Sequence, residues 1–355
     1  MEKHSRVNLA ILNEGVQVKP VKGNINRLYG NIKQILEKAR ANACRAVNSV
    51  MVKAYWEIGR IIVEEEQNGQ GRAIYGELMI SGLSDKLTKE FGEGFTDTNL
   101  KYMRQFYQAF PKSHALRDEL SWTHYRMLLK VENIDARMFY VNESISSNWS
   151  TRELDRQINS LLYERLALSK NKKKIKQLSE KGQIIKSADD MVKDPYVLEF
   201  LGMKENKDYL EKDIEKTLIK KLRQFILELG RGFSFVERQK RITIDGDHYY
   251  VDLVFYNYIL KCFVLIDLKV GKLNHQDIGQ MDFYVRYFED KIRPKADNPT
   301  IGIVLCSEKN EAMVKYTVLK DSKQVFASKY KLYLPKEKEL RDEIVRERRI
   351  IEGEK

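Results

Sequence analysis

The sequence predicts two domains of different class: an all-helical N-terminal domain, then an α/β domain of element order αβββαβ around a mixed sheet. Three observations carry this expectation. Apolar residues recur with a 3.6-residue period through the first half of the chain. The run Ser169-Lys170-Asn171-Lys172-Lys173-Lys174 then breaks that rhythm. Beyond it, β-branched and aromatic runs such as Tyr249–Tyr256 and Ile301–Cys306 are bracketed by helical patterns. A length of 355 residues suits two domains, and 43% hydrophobic content supports real cores.

In chain order, residues 1–23 read as a tail and 24–168 as the helical domain. Leu28, Ile32, Ile35, Leu36 and Ala39, then Val47, Val50, Met51, Ala54, Tyr55 and Ile58, mark one long core helix or a helical pair from about Asn24 to Gln67. Leu83–Phe91, the turn Gly92-Glu93-Gly94, and a helix from Thr96 to Phe110 form a candidate helix-turn-helix. Thr96 is its expected N-cap, Leu100, Met103, Phe106 and Tyr107 its apolar face, and Lys101 and Arg104 its candidate nucleic-acid contacts. An ordinary helical hairpin has the same pattern. Helices follow at Trp122–Val131 and Ala136–Ser146, and one opens with the capping box Ser150-Thr151-Arg152-Glu153 and continues through Leu162.

Residues 169–195 read as a polar linker, 196–335 as the α/β domain and 336–355 as a charged C-terminal helix. The α/β domain begins with a helix over Tyr209–Leu229, ended by Gly230 and Gly232. Strands are expected at Phe233–Ile244, Tyr249–Tyr256 and Cys262–Val270, a helix at Gln276–Phe288, then strands at Ile301–Cys306 and Lys331–Leu334.

The net charge of +12 suits a polyanionic partner such as nucleic acid, although a basic surface also serves solubility or membrane binding. Cys44, Cys262 and Cys306 are widely spaced, with no CxxC pair, so buried thiols in a reducing compartment are expected rather than zinc or disulfides. The start, MEKHSRVNLAILNEG, has no apolar core of signal-peptide length, and no stretch approaches a membrane span. A cytoplasmic protein without membrane contact is the expectation.

The candidate chemistry lies in YYVDLVFYNYILKCFVLIDLKVG, residues 249–271, where two hydrophobic strands each carry a central aspartate. Burying an unpaired carboxylate costs several kcal/mol or forces its pKa upward. Asp267 and Lys269 are two apart on one strand and share a face. Asp252 precedes the turn near Tyr258–Leu260 by about as much as Asp267 follows it, so the two acids are cross-strand neighbours in a hairpin. Adjacent acids repel, and a divalent cation stabilises them; Mg²⁺ accepts one or two carboxylates with water and substrate phosphate oxygens. A lysine beside such a cation can position the attacking water and offset charge in phosphoryl transfer. An Asp-x-Lys triplet alone is commonplace and reads equally as a surface ion pair. The combination with an acid-bearing helix and an Asp in the preceding strand is far more specific.

With that combination the sequence resembles the PD-(D/E)xK nuclease superfamily, whose restriction-endonuclease-like core has this αβββαβ order. Asp252 matches the first motif acid, although Val251 replaces the proline that precedes it in the consensus, and Asp267-Leu268-Lys269 matches (D/E)xK. Gln280 and Tyr284 fall at the Q-x-x-x-Y spacing of the RecB-like branch. The text "LELGRGFSFVERQKRI…YYVDLVFYNY…FVLIDLK…GQMDFYV…IGIVLC" is similar to the bacterial YhcG-like proteins, which join a helical domain to such a nuclease domain. The similarity extends from about residue 25 to 335, with the specific motifs in the second half.

This resemblance implies Mg²⁺-dependent hydrolysis of DNA phosphodiester bonds, with Mn²⁺ as a substitute and no small-molecule cofactor. Asp252, Asp267 and the Leu268 carbonyl would hold the metal, and Lys269 would handle the water. Glu215 would complete the acidic shell from the preceding helix, with Glu211 one turn earlier as a weaker candidate. Arg238 and Gln239 on the first strand would reach a phosphate, and Gln280 and Tyr284 would face the site or the DNA backbone, unless Tyr284 is simply core. One site per chain favours a homodimer where both strands are cut. The rival expectation is a nuclease fold that has lost activity and serves as a nucleic-acid-binding or assembly module.

Overall fold

The structure is a computed structural model, and it describes residues 22–68, 73–112, 116–168, 172–203, 209–308, 322–336 and 338. The expected tail lies outside the described residues except for Lys22 and Gly23, as does the charged C-terminal helix except for residues 336 and 338.

The first half is helical throughout. Helix α1 runs unbroken over Lys22–Asn68. From Val52 onward its apolar positions are covered except for Ile61, and Gly59 lets helix α3 (Asp97–Ala109) approach: a Cβ there would collide with the Met103 carbonyl oxygen. Trp56 Nε1 donates to the Phe110 carbonyl oxygen at 2.6 Å and fixes the same crossing. The N-terminal part differs from expectation. Leu28, Ile32, Ile35 and Leu36, read as core, are exposed.

Helix α2 (Ala73–Phe91) begins ten residues before the Leu83 start expected for it. Thr96 stands at the N-cap of α3 without a side-chain capping bond, and Leu100, Met103 and Phe106 are buried as the periodicity requires. Helices α4 (Trp122–Leu128), α5 (Ile134–Ser146), α6 (Thr151–Asn159) and α7 (Leu162–Leu168) close a core built around Phe106, Tyr125, Phe139 and Leu154. The α6 capping box is formed, with Ser150 N–H donating to Glu153 Oε2 at 2.7 Å. The helix does not continue through Leu162. Leu161 adopts φ 55°, and α7 starts afresh, because the Arg165 guanidinium takes the Ser160 carbonyl at 2.9 Å.

The segment expected as a linker carries helix α8 (Lys172–Lys181) and the short α9 (Ala188–Met191). Asn142 Nδ2 donates to the Ser179 and Glu180 carbonyls, both at 3.0 Å, and Leu178 is buried, so α8 docks on α5. Buried charges then stitch the two halves together. Glu228, fully buried on helix α11 (Leu222–Leu229), accepts from Arg165 at 2.6 Å, from Arg156 at 3.2 Å and from the Val197 N–H at 2.9 Å. Burial alone would raise the Glu228 carboxyl, but Arg165, Lys193 and Arg156 outweigh it and hold the pKa at about 2. Lys193 is buried too, donates to the Glu228 carbonyl, and is pushed down to about 8 by burial.

The second half is a six-stranded mixed sheet of order β1-β6-β5-β4-β3-β2. The strands are β1 (Tyr196–Val197), β2 (Phe233–Ile244), β3 (Asp247–Asn257), β4 (Cys262–Lys272), β5 (Ile301–Glu308) and β6 (Val325–Lys331). β2, β3 and β4 are antiparallel neighbours, whereas β4, β5, β6 and β1 pair in parallel. The last strand lies at Val325–Lys331 rather than Lys331–Leu334, and β1 adds an edge that was not expected. The expected helix over Tyr209–Leu229 is two helices, α10 (Glu211–Lys220) and α11, parted at Lys221. Ile214, Leu218 and Phe225 from this pair cover one sheet face against Phe255, Ile266 and Leu268. Helix α12 (His275–Lys291) covers the other with Met281, Val285 and Phe288 against Leu265 and Val304. Cys262 and Cys306 are buried as expected, but Cys44 is exposed.

Candidate active site

The β3–β4 ladder runs from Asn257↔Cys262 to Leu253↔Ile266 and stops there. Beyond that pair β3 stays with β2, and β4 stays with β5, so the sheet forks. Asp252 and Asp267 are the first residues past the last pair, one on each arm. Their carboxylates take over the missing main-chain bonding. Asp252 Oδ2 accepts from the Leu268 N–H at 2.8 Å, and Asp267 Oδ1 accepts from the Asp252 N–H at 3.3 Å. The expected convergence of the two acids is present.

Their surroundings disfavour charge. Asp267 is 1% exposed, and its carboxyl is pushed up to about 7 by burial and by the neighbouring Asp252, against the opposing pull of Lys269. Burial also raises the half-buried Asp252, while the Leu268 N–H and Lys269 counter it. Lys269 lies two residues beyond Asp267 with its Nζ 3.7 Å from Glu211 Oε2. Glu211 also accepts from the Val270 N–H at 3.3 Å, so the first turn of α10 holds the lysine and the strand behind it.

Glu215, one turn further along α10, is buried and meets the acids through Gln239. The single Gln239 Nε2 donates to Glu215 Oε2 at 2.8 Å and to Asp252 Oδ1 at 2.9 Å. Burial and the Asp252 charge together raise the Glu215 carboxyl. Its Oε1 has no hydrogen-bond donor; the nearest cation is Arg238 Nε at 3.5 Å. Gln239 adopts φ 50° inside a strand, a left-handed conformation that is costly for a side-chain-bearing residue and gathers at functional sites. Gln239, expected to reach a phosphate, faces the acids instead. The signal for this was in the sequence: Asp245-Gly246 is a two-residue hairpin turn, and counting back from Ile244↔Asp247 places Gln239 opposite Asp252.

Gln280 and Tyr284 are stacked on α12 and hydrogen-bonded to each other. Tyr284 is fully buried and its hydroxyl donates to the Tyr250 carbonyl at 2.9 Å, pinning the entry to β3. Burial pushes this phenol up to about 12, with Asp267 and Asp252 adding to the shift. Lys101 and Arg104 are in the helical half, away from the fork. Lys101 is half-exposed and pairs with Asp97 at 2.8 Å; Arg104 pairs with Glu66 at 2.8 Å and ties α3 to α1.

Among the described residues no group of three or more His, Cys, Asp or Glu side chains is clustered so as to hold a metal ion by itself. The donors gathered at the fork nevertheless fit a sparsely held divalent cation. They are two carboxylates with raised pKa values and the Glu215 oxygen left without a donor.

A mixed sheet flanked by helices, with an Asp and an Asp-x-Lys facing each other at a fork, defines a domain of the PDDEXK nuclease class. Residues 189–345 match the YhcG PDDEXK nuclease domain, and residues 31–165 match the DUF1016 N-terminal domain. The chain is 37% identical over 358 residues to the protein named "Putative nuclease YhcG" of Escherichia coli (strain K12), covering 92% of this chain and 95% of that one. The chain belongs to the YhcG family. Among solved structures, a repair endonuclease from Pyrococcus abyssi is similar at 20% identity and a TM-score of 0.27, over 37% of this chain and 50% of that one.

Proposed function

We propose that this protein is a divalent-cation-dependent nuclease that hydrolyses DNA phosphodiester bonds, with Mg²⁺ as the working ion and Mn²⁺ as a substitute. The observation that carries this reading is the fork, which brings Asp252, Asp267 and Lys269 together under α10. Asp252 and Asp267, with the Leu268 carbonyl, are the residues that would hold the ion. When bound, the ion supplies Lewis-acid stabilisation of phosphoryl oxygens and a more acidic water.

The chain's own residues supply orientation and charge. Lys269 directs an N–H toward the attacking water and offsets the negative charge that builds on the phosphoryl group. Glu211 keeps the lysine on that side of the strand. Glu215 and Gln239 fix the Asp252 carboxylate, and Arg238, half-exposed beside Glu215, stands where a substrate phosphate would approach. Tyr284 and Gln280 act from beneath by holding β3 in place. The net charge of +12 favours a polyanionic substrate, and Lys101 would add a phosphate contact from the helical half. A cytoplasmic setting accompanies this reading, since three free thiols, one of them exposed, suit a reducing compartment.

The direct test is incubation of the purified chain with linear, circular and branched DNA in Mg²⁺ or in EDTA. Cleavage should occur with Mg²⁺, vanish in EDTA and be lost in Asp252→Asn. Failure to cut any of these substrates with Mg²⁺ or with Mn²⁺ in its place would leave a nucleic-acid-binding module in place of an enzyme.

A further inference from the structure

The first half of α1 carries an apolar stripe that nothing in the chain's described residues covers. Ile25, Leu28, Tyr29, Ile32, Ile35 and Leu36 are 46–67% exposed, and Val47 and Val50 are 61% and 65% exposed. Every residue from Asn31 to Asn48 is exposed. At 1.5 Å per residue, the stretch from Ile25 to Val50 is roughly 38 Å of free helix.

The stripe has a seven-residue repeat. Ile25, Ile32, Ala39 and Ala46 follow one another at that spacing, as do Leu28, Ile35 and Asn42, and so do Tyr29, Leu36, Ala43 and Val50. The first two series are the a and d positions of a coiled coil, and the third is the e position that flanks them. The g positions hold Asn31, Lys38 and Arg45. In an antiparallel pair of identical helices g faces g, so Lys38 and Arg45 would meet like charge. In a parallel pair each g residue faces the e residue five further along the partner, which places Asn31, Lys38 and Arg45 beside Leu36, Ala43 and Val50. The long basic side chains then lay their alkyl stems along apolar neighbours with no opposed charge. The remaining charges, Arg27, Lys33, Glu37 and Arg40, fall on the outer faces, where Lys33 and Glu37 pair along the same helix at 3.8 Å.

We propose that residues 25–50 of α1 form a parallel two-stranded coiled coil with the same segment of a second copy of this chain. The area is sufficient: the seven exposed apolar side chains at a, d and e, on the order of 100 Å² each, together with the alkyl stems of Lys38 and Arg45 approach the roughly 800 Å² per partner of a stable interface. Asn42, the one polar residue among the d positions before Ser49, fixes the register by pairing with its own copy. The small residues Ala39, Ala43 and Ala46 allow close approach in the second half of the segment.

Sedimentation of the full-length chain should give a dimer, and the double variant Ile32→Glu/Ile35→Glu should give a folded monomer with the circular dichroism of the parent. In a Cys44→Ser background, Leu28→Cys should form an interchain disulfide on mild oxidation, because only parallel, in-register helices bring that d position to its own copy. A monomer at every concentration up to the solubility limit overturns the proposal. So does a dimer that survives both glutamates. A dimer that the glutamates disrupt but that Leu28→Cys fails to cross-link overturns the parallel arrangement. None of these readouts depends on catalysis.

Discussion

Asp252 accepts a hydrogen bond from the main-chain N–H of Leu268 across the point where β3 and β4 part. The acid is therefore both a candidate ligand and a substitute for the backbone partner that the fork removes. An amide at this position can still accept that bond through its carbonyl oxygen, whereas alanine leaves a buried N–H unpaired. Asp252→Asn should fold and lose cation-dependent cleavage, while Asp252→Ala should also lose about 1–3 kcal/mol of stability. Denaturant titration of the two variants checks the difference; equal stability would mean that the bond carries no weight.

Asp267 gives a pH signature in the cation-free protein. Its folded pKa of about 7 lies above the roughly 3.9 of an unfolded aspartate. The folded state therefore binds the proton more tightly, and the stability this contributes is full below about pH 4 and is lost as pH rises toward 7. Thermal melts in EDTA from pH 4 to 8 should show that loss, and Asp267→Asn should flatten it. Mg²⁺ should recover stability at the alkaline end in the parent but not in the variant.

Lys269→Ala should reduce cleavage by 10²-fold or more while DNA affinity changes only a few-fold, since the charge it offsets develops in the transition state. Gel-shift affinity and single-turnover cleavage separate the two effects. A variant that cuts at the parental rate removes Lys269 from the chemistry.

Gln239→Ala removes one amide that serves two carboxylates. Hydrogen bonds to charged groups are worth about 1.5–3 kcal/mol each, and alanine gives no relief at the left-handed position. The variant should melt lower than the parent in EDTA, and saturating Mg²⁺ should narrow the gap because a cation can bridge the same acids. A gap unchanged by Mg²⁺ would show that the amide and the cation do not share this place.

Glu228→Gln should be the most destabilising of these changes, because it strands the buried Arg165 and weakens Lys193. Breaking a buried pair by removing one partner costs about 3–5 kcal/mol. The parental carboxyl, held at about 2, contributes stability that is present above the unfolded value near 4.3 and is lost as pH falls through 2. Calorimetry should show a lower transition in the variant, split between the two halves.

Much of this was legible from residue order. The two acids and Lys269 share a hairpin whose register follows from counting, and β2 begins and ends at the expected Phe233 and Ile244. The breaks at Leu161 and Lys221 were not legible, because the apolar stripes run straight through them; at the first, the Arg165 side chain takes the Ser160 carbonyl. β1 is two residues long and too short to carry a period. In β6 the buried Ser328, whose hydroxyl donates to the Lys193 carbonyl, interrupts the apolar pattern, and Lys331–Leu334 is the more regular run. Periodicity in α1 identified an apolar face but not that its first half lies exposed on this chain.

The riveted junction at Glu228, Arg165 and Lys193 has a consequence for any substrate that the helical half grips. A tether would let that half roam, and incision would scatter over whatever range the slack allowed. With the halves locked by buried charges, the helical surface would work as a ruler whose far end is the fork. DNA anchored there would be cut at a constant offset from the anchor, and Glu228→Gln, which loosens the junction, should blur that offset.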